Sequence, residues 1–306
     1  MPMITPKPLR PGDTVAMIGI SGCIHNDHPQ EEVDQAAQNL RDLGFRVVVD
    51  PTCARQFGFL AGTDQERADA LNRAFADDGI DGIWCIKGGY GCARMLDLVD
   101  WDMIRTHPKA FVGFSDITAV HIGLLERCGL QTFHGPMPRK PITEASRGSL
   151  MAAIAGTPLP EFVNPDGTSL TALRGGAAEG MLVGGNLSLI SSACGTRSDL
   201  DTTGRILFLE EIDEDSYRVD GMLQQLYNAG KLSACAGIVF GAFTNCNEEY
   251  DHSNCFTVDE LLEQMAARLQ VPVLRGLQAG HLSDTLTLPL GRRVRLDADT
   301  CRLYAL

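Results

Sequence analysis

AFVGFSDITAVHIGLLERC, residues 110–128, changes its hydrophobic period halfway along. The first five residues are an apolar run of strand length. After the turn Gly-Phe-Ser-Asp, positions 117, 120, 121, 124, 125 and 128 repeat at the spacing of one buried helix face. A strand that feeds directly into a helix is half of a βαβ unit, and the same alternation runs on either side. DTVAMIGI at 13–20, RVVVD at 46–50 and IDGIWCIK at 80–87 are apolar runs separated by helical patterns, the pattern of a parallel sheet covered on both faces.

Residues 1–137 therefore read as a Rossmann-like, doubly wound domain. Residues 138–176 are rich in proline, glycine and small polar residues and read as a linker. From 177 to 306 the runs AEGMLVGGNLSLI, GRILFLEE and ACAGIVFGAF alternate with helices and end in RRVRLDA and CRLYAL. This predicts a smaller carboxyl-terminal α/β domain with antiparallel character at its end.

With 39 acidic and 26 basic side chains, the formal charge of −13 disfavours nucleic acid and anionic membrane surfaces as partners, and favours a small substrate. Prolines interrupt the first residues where a signal peptide needs an apolar run, and no stretch reaches the roughly 18 apolar residues of a membrane span. The expected location is cytoplasmic. Ten cysteines are scattered from 23 to 301 without a C-x-x-C pair, so free buried thiols are expected, with no metal site.

Ser115 and Asp116 fall at the strand-to-helix turn, where either can cap the helix. The same turn can instead lift the Ser115 hydroxyl to the sheet edge as a nucleophile, although G-F-S-D-I is not the G-x-S-x-G elbow. IKGGYGCAR, residues 86–94, is a second glycine-rich strand end. It matches neither nucleotide-binding fingerprint and is either a tight turn or a loop presenting N–H groups to an anion. At the end of RILFLEE, Glu210 and Glu211 are both candidates for a working acid; alternation does not choose between them. Among the seven histidines, His121 lies on the apolar helix face, His25, His28, His107 and His252 occupy polar surroundings, and His134 and His281 remain as candidate bases.

KGGYG, GFSDIT, HGPM, GGNLSLI, LEEIDEDSYRVDGMLQQLYNAG and GHLSDTLTLPLG together resemble, in order and spacing, the serine peptidases called LD-carboxypeptidases, over nearly the whole chain. The resemblance implies Ser115 as nucleophile, Glu210 as acid and His281 as base. It implies backbone N–H groups of Gly89 and Asp116 as the oxyanion hole, and no metal or cofactor. It also implies an active site where two domains meet, a homodimer, and a murein tetrapeptide cut before its terminal D-alanine. Arg94 and Arg218 are candidates for the D-alanine carboxylate. Lys87 and Gly221 depart from the arginines that relatives often carry at these positions. A related branch hydrolyses peptidyl-nucleotides such as microcin C; the remaining alternative is a non-catalytic two-lobed binding protein.

Overall fold

Short apolar runs bounded by polar helices assemble as expected into a parallel sheet in a computed structural model, which describes residues 2–157, 160–246 and 255–306. His252 lies outside the described residues. The strands are β1 (Thr14–Ile18), β2 (Arg46–Val49), β3 (Gly82–Cys85), β4 (Ala110–Gly113) and β5 (Thr132–His134). They lie in the order β2-β1-β3-β4-β5, every pair parallel. β3, β4 and β5 are buried along their whole length, which explains why they read as unbroken apolar runs. At the edge, β2 leaves Val48 and Val49 exposed. Trp84 on β3 packs against Phe45 and donates its indole N–H to the carbonyl of Pro136 at 3.0 Å.

The chain divides into two compact units, one of residues 1–157 with 287–289 and the other of residues 158–286 with 290–306. The 138–176 segment, expected as a linker, thus contributes to both. Its helix Glu144–Ile154 places Leu150, Ala153 and Ile154 in the same core as Trp84 and Phe133. Small and polar residues on that helix hid its single apolar stripe. Further along, β6 (Thr171–Arg174) pairs with the second sheet.

That second sheet contains β7 (Ala177–Asn186), β8 (Ile206–Ile212), β9 (Gly237–Thr244), β10 (Val273–Arg275), β12 (Arg293–Asp297) and β13 (Arg302–Ala305), in the order β13-β12-β7-β8-β9-β10-β6. β7 to β10 run parallel, and β12, β13 and β6 are added antiparallel at the two sides. Strand β11 (Leu288–Leu290) instead joins the first sheet beside β5. Among the described residues no helix is long and apolar enough to cross a membrane.

Candidate functional site

At the end of β4 the backbone does something unusual for a serine. Phe114 is extended, but Ser115 has φ +67°, in the left-handed region that favours glycine. Holding a residue there costs on the order of 1–3 kcal/mol and persists only when the surroundings enforce it. The turn Ser115–Ile117 is one 3₁₀ turn, followed by the helix Thr118–Gly123 and a π-helical turn, Leu124–Cys128, in place of a plain α-helix to residue 128. Neither Ser115 nor Asp116 caps this helix with its side chain, so the capping reading is not how these side chains are used.

Ser115 is partly exposed, and the glycine loop after β3 lies against it. A Cβ added to Gly88 would stand 2.8 Å from Ser115 Cβ and 3.0 Å from its Oγ, so only glycine lets the loop approach so closely. Gly89 follows with φ +131° and is exposed. Asp116 is buried, its Oδ2 accepting from Ser21 Oγ at 2.6 Å and from the Cys92 N–H at 2.9 Å. Lys87 donates to the Cys23 carbonyl at 2.9 Å, and burial pulls its ammonium below the usual lysine range.

His121 is a core residue, as its helix position implies. Its Nε2 donates to the Gly113 carbonyl at 2.9 Å and its Nδ1 accepts from Thr132 Oγ1 at 2.8 Å. Burial pushes its pKa down to about 4, keeping the ring neutral. His134 is buried too, its ring 5.7 Å from that of Phe114.

In the other unit, β8 is buried through Glu211. Glu210 is 0% exposed and its Oε2 meets His281 Nδ1 at 2.7 Å. Burial raises the Glu210 pKa; the hydrogen bond and charge of His281, and more weakly the Asn186 side chain, oppose that rise. Gly280, with φ +119°, brings the His281 loop onto this carboxylate: a Cβ there would lie 2.5 Å from Glu210 Oε2. The His281 carbonyl accepts from Thr244 Oγ1 at 2.8 Å, which fixes the loop from the other side.

Glu211 points elsewhere. Its Oε1 accepts from Asn186 Nδ2 at 2.8 Å and from the Ile212 N–H at 2.9 Å, and its Oε2 accepts from the N–H and hydroxyl of Ser188 at 2.8 and 2.6 Å. Sequence reasoning overlooked Asn186, which also caps the helix Leu187–Ala193. The available signal was an Asn directly before an apolar helical run, inside GGNLSLI.

Arg94 forms an exposed pair with Asp64, its Nε at 3.1 Å and Nη2 at 3.1 Å. Arg218 is exposed, its Nε 3.2 Å from Tyr217 Oη and 3.8 Å from Glu214. All ten cysteines are free thiols. Chemically, one unit offers a hydroxyl on a strained turn beside backbone N–H groups. The other offers an imidazole held by a buried carboxylate, an arrangement that suits general-base catalysis.

Residues 15–135 match the LD-carboxypeptidase N-terminal domain and residues 179–296 the LD-carboxypeptidase C-terminal domain. The chain belongs to the LD-carboxypeptidase family, and is thus a carboxypeptidase of the hydrolase class. It is 37% identical over 300 residues to a Bacillus subtilis protein named "Probable murein peptide carboxypeptidase", covering 95% of this chain and 91% of that one. The crystal structure of muramoyltetrapeptide carboxypeptidase from Oxalobacter formigenes is similar with a TM-score of 0.82 at 27% identity, covering 95% and 97% of the two chains. The Escherichia coli microcin C7 self-immunity protein MccF is 25% identical over 323 residues, covering 95% of this chain and 92% of its own. A structure of MccF is similar with a TM-score of 0.89 at 23% identity, covering 98% and 97%, a likeness of fold.

Proposed function

We propose that this carboxypeptidase is of the serine type, with Ser115 as nucleophile, His281 as general base and Glu210 as the acid that orients it. The observation that carries the reading is the left-handed backbone of Ser115 at the carboxyl end of a parallel strand, with Gly88 against its side chain. Strain at a partly exposed serine is a cost that folding alone does not require. The Glu210–His281 hydrogen bond supports the second half of the proposal.

In this mechanism the Glu210 carboxylate accepts from Nδ1–H, so Nε2 is the atom that takes the Ser115 proton as Oγ attacks the scissile carbonyl. Glu210 then offsets the positive charge on the ring. The N–H groups of Gly89 and Asp116 stabilise the tetrahedral oxyanion, each donor lowering the barrier by roughly 3 kcal/mol. The amine leaves with a proton from His281, and water attacks the acyl-enzyme by the reverse sequence. No step needs a metal or cofactor.

The substrate we propose is a murein tetrapeptide recovered in cell-wall recycling, cut to release D-alanine. The names of the Bacillus and Oxalobacter relatives support it. Its terminal carboxylate needs a cation. Arg94 already holds the Asp64 carboxylate through two nitrogens, whereas Arg218 bonds the neutral Tyr217 hydroxyl and meets a carboxylate, Glu214, at 3.8 Å, so Arg218 is the better placed to exchange partners. We extend the proposal to a cytoplasmic homodimer, a habit common in the family.

Likeness to MccF keeps peptidyl-nucleotide hydrolysis as a second reading. Against it, Trp84 is buried and Trp101 already carries the Arg127 guanidinium over its ring, 5.4 Å from the centroid. The deciding experiment incubates the protein with a tetrapeptide and, separately, with a peptidyl-adenylate, and identifies products by mass. D-alanine release that is lost in Ser115→Ala and in His281→Ala, and is indifferent to a chelator, is expected; retained turnover in either variant refutes the triad.

A further inference from the structure

Three turns at the carboxyl end of the first sheet converge on one carboxylate. Asp116 lies in the turn after β4, and its Oδ2 takes hydrogen bonds from Ser21 in the turn after β1 and from the Cys92 N–H in the glycine loop after β3. The same two loops are gripped one residue earlier by a buried cation. Arg67, 0% exposed, donates through Nη1 to the carbonyls of Ile20 at 2.7 Å and Gly91 at 2.9 Å, while its Nη2 pairs with Asp64 at 2.5 Å. Each loop is therefore held at two successive residues. At Ile20–Ser21 and at Gly91–Cys92 a guanidinium takes the carbonyl and a carboxylate takes the hydroxyl or N–H.

Burying either charge is costly unless its polar atoms are satisfied. Here the partners of Asp116 Oδ2 and of the Arg67 Nη1 and Nη2 groups are supplied by loop backbone, a loop hydroxyl and Asp64, while Arg67 Nε has no hydrogen-bond partner among the described residues, so what this network specifies is loop position. The Ser115 backbone needs such an outside constraint, since an unrestrained turn would relax out of the left-handed region.

Building on the reading of Ser115 as nucleophile, we propose that the Asp116 side chain is a positioning residue for the reaction. By tying its own turn to the glycine loop, it fixes the Asp116 and Gly89 N–H groups at the separation that a tetrahedral oxyanion requires. Arg67 holds the same loops from their carbonyl side. Asp116 thus serves twice, its N–H facing the oxyanion and its carboxylate setting the distance to the second donor.

The test compares Asp116→Ala, Asp116→Asn, Ser21→Ala and Ser115→Ala for kcat and KM on a tetrapeptide and for thermal melting. The first three are also compared for inhibition by a peptide boronate, whose tetrahedral adduct occupies the oxyanion position. Asp116→Ala is expected to lower kcat about 100-fold with KM within about twofold, and to weaken the boronate by a similar factor. Asp116→Asn should recover most of both, because its Oδ1 can accept from Ser21 and Cys92 together. Ser21→Ala, which removes one of the two bonds, should cost about tenfold in kcat. Wild-type kcat and boronate affinity in Asp116→Ala, or a raised KM alone, overturns the proposal. If Asp116→Ala does not fold, Ser21→Ala decides by the same criteria. Turnover by Ser115→Ala would instead overturn the nucleophile itself, so the two failures are distinct.

Discussion

The turn after β4 and the end of β8 carry their costs in different forms. At residues 114–117 the cost is conformational: Ser115 takes a backbone shape that suits glycine. At Glu210 the backbone stays within a strand and the cost is electrostatic, a carboxylate removed from water with His281 as its principal partner. The adjacent Glu211 shows what a carboxylate held for structure looks like, with four donors converging on its two oxygens. A residue whose cost is fully offset locally is holding the fold, while one whose cost is only partly offset is a candidate for chemistry.

Substitution at Ser115 should break this contrast most sharply. Ser115→Gly removes the hydroxyl and the strain together, so kcat should fall by about 10⁶ while stability rises by about 1 kcal/mol in chemical denaturation. A loss of stability would mean that the turn is not strained.

Glu210→Gln should lower kcat by about 10⁴, because a neutral amide neither enforces the tautomer nor offsets the imidazolium. Its melting temperature should match or exceed that of the wild type near pH 8. Burial sets the folded pKa of Glu210 above the unfolded one, so its contribution to stability is complete below the unfolded value and is lost as pH rises through the folded one. The melting difference should therefore shrink on acidification through the ordinary carboxylate range. Glu211→Gln should do the opposite, costing about 1–3 kcal/mol at neutral pH, since either amide orientation sets an NH₂ against existing donors.

Gly88→Ala sharpens the comparison from the loop side. The added methyl would press on Ser115, and a displacement of about 1 Å costs roughly 100-fold in kcat with little change in melting. The smallest effect belongs to Gly221, inside the helix Ser216–Asn228, where an added Cβ meets nothing within 4 Å. Gly221→Ala should stabilise the protein by about 0.5–1 kcal/mol, measurable by denaturant midpoint, with kcat unchanged.

Much of the first sheet was legible because buried parallel strands are continuous apolar runs, and the change of period at Ser115 marks the turn in the sequence itself. The choice between Glu210 and Glu211 was not legible from the residues. The pairing of β8 with β9 shifts register between Leu209 and Glu211, so simple alternation fails there, and both side chains end buried. Arg67 was hidden for another reason: a charged residue in a polar helix reads as solvated, and its loop partners lie far along the chain. The partners of Asp116 are likewise 95 and 24 residues distant, beyond any local pattern. The helix Glu144–Ile154 was obscured by composition, with a weak apolar stripe between segments rich in proline and glycine.

One feature of the first sheet concerns time. Its strand beside β5 is Leu288–Leu290, and Thr287 reaches the Gly135 backbone and donates its N–H to Ser149 Oγ at 3.2 Å. A ribosome delivers that strand long after β5, so the emerging chain carries β5 as an open edge in the interval, available for pairing with other strands. The sheet that presents Ser115 is therefore completed only after strands β6 to β10 of the other sheet have been made, and deletion of residues 288–290 would expose β5 in a sheet otherwise built from the first 134 residues.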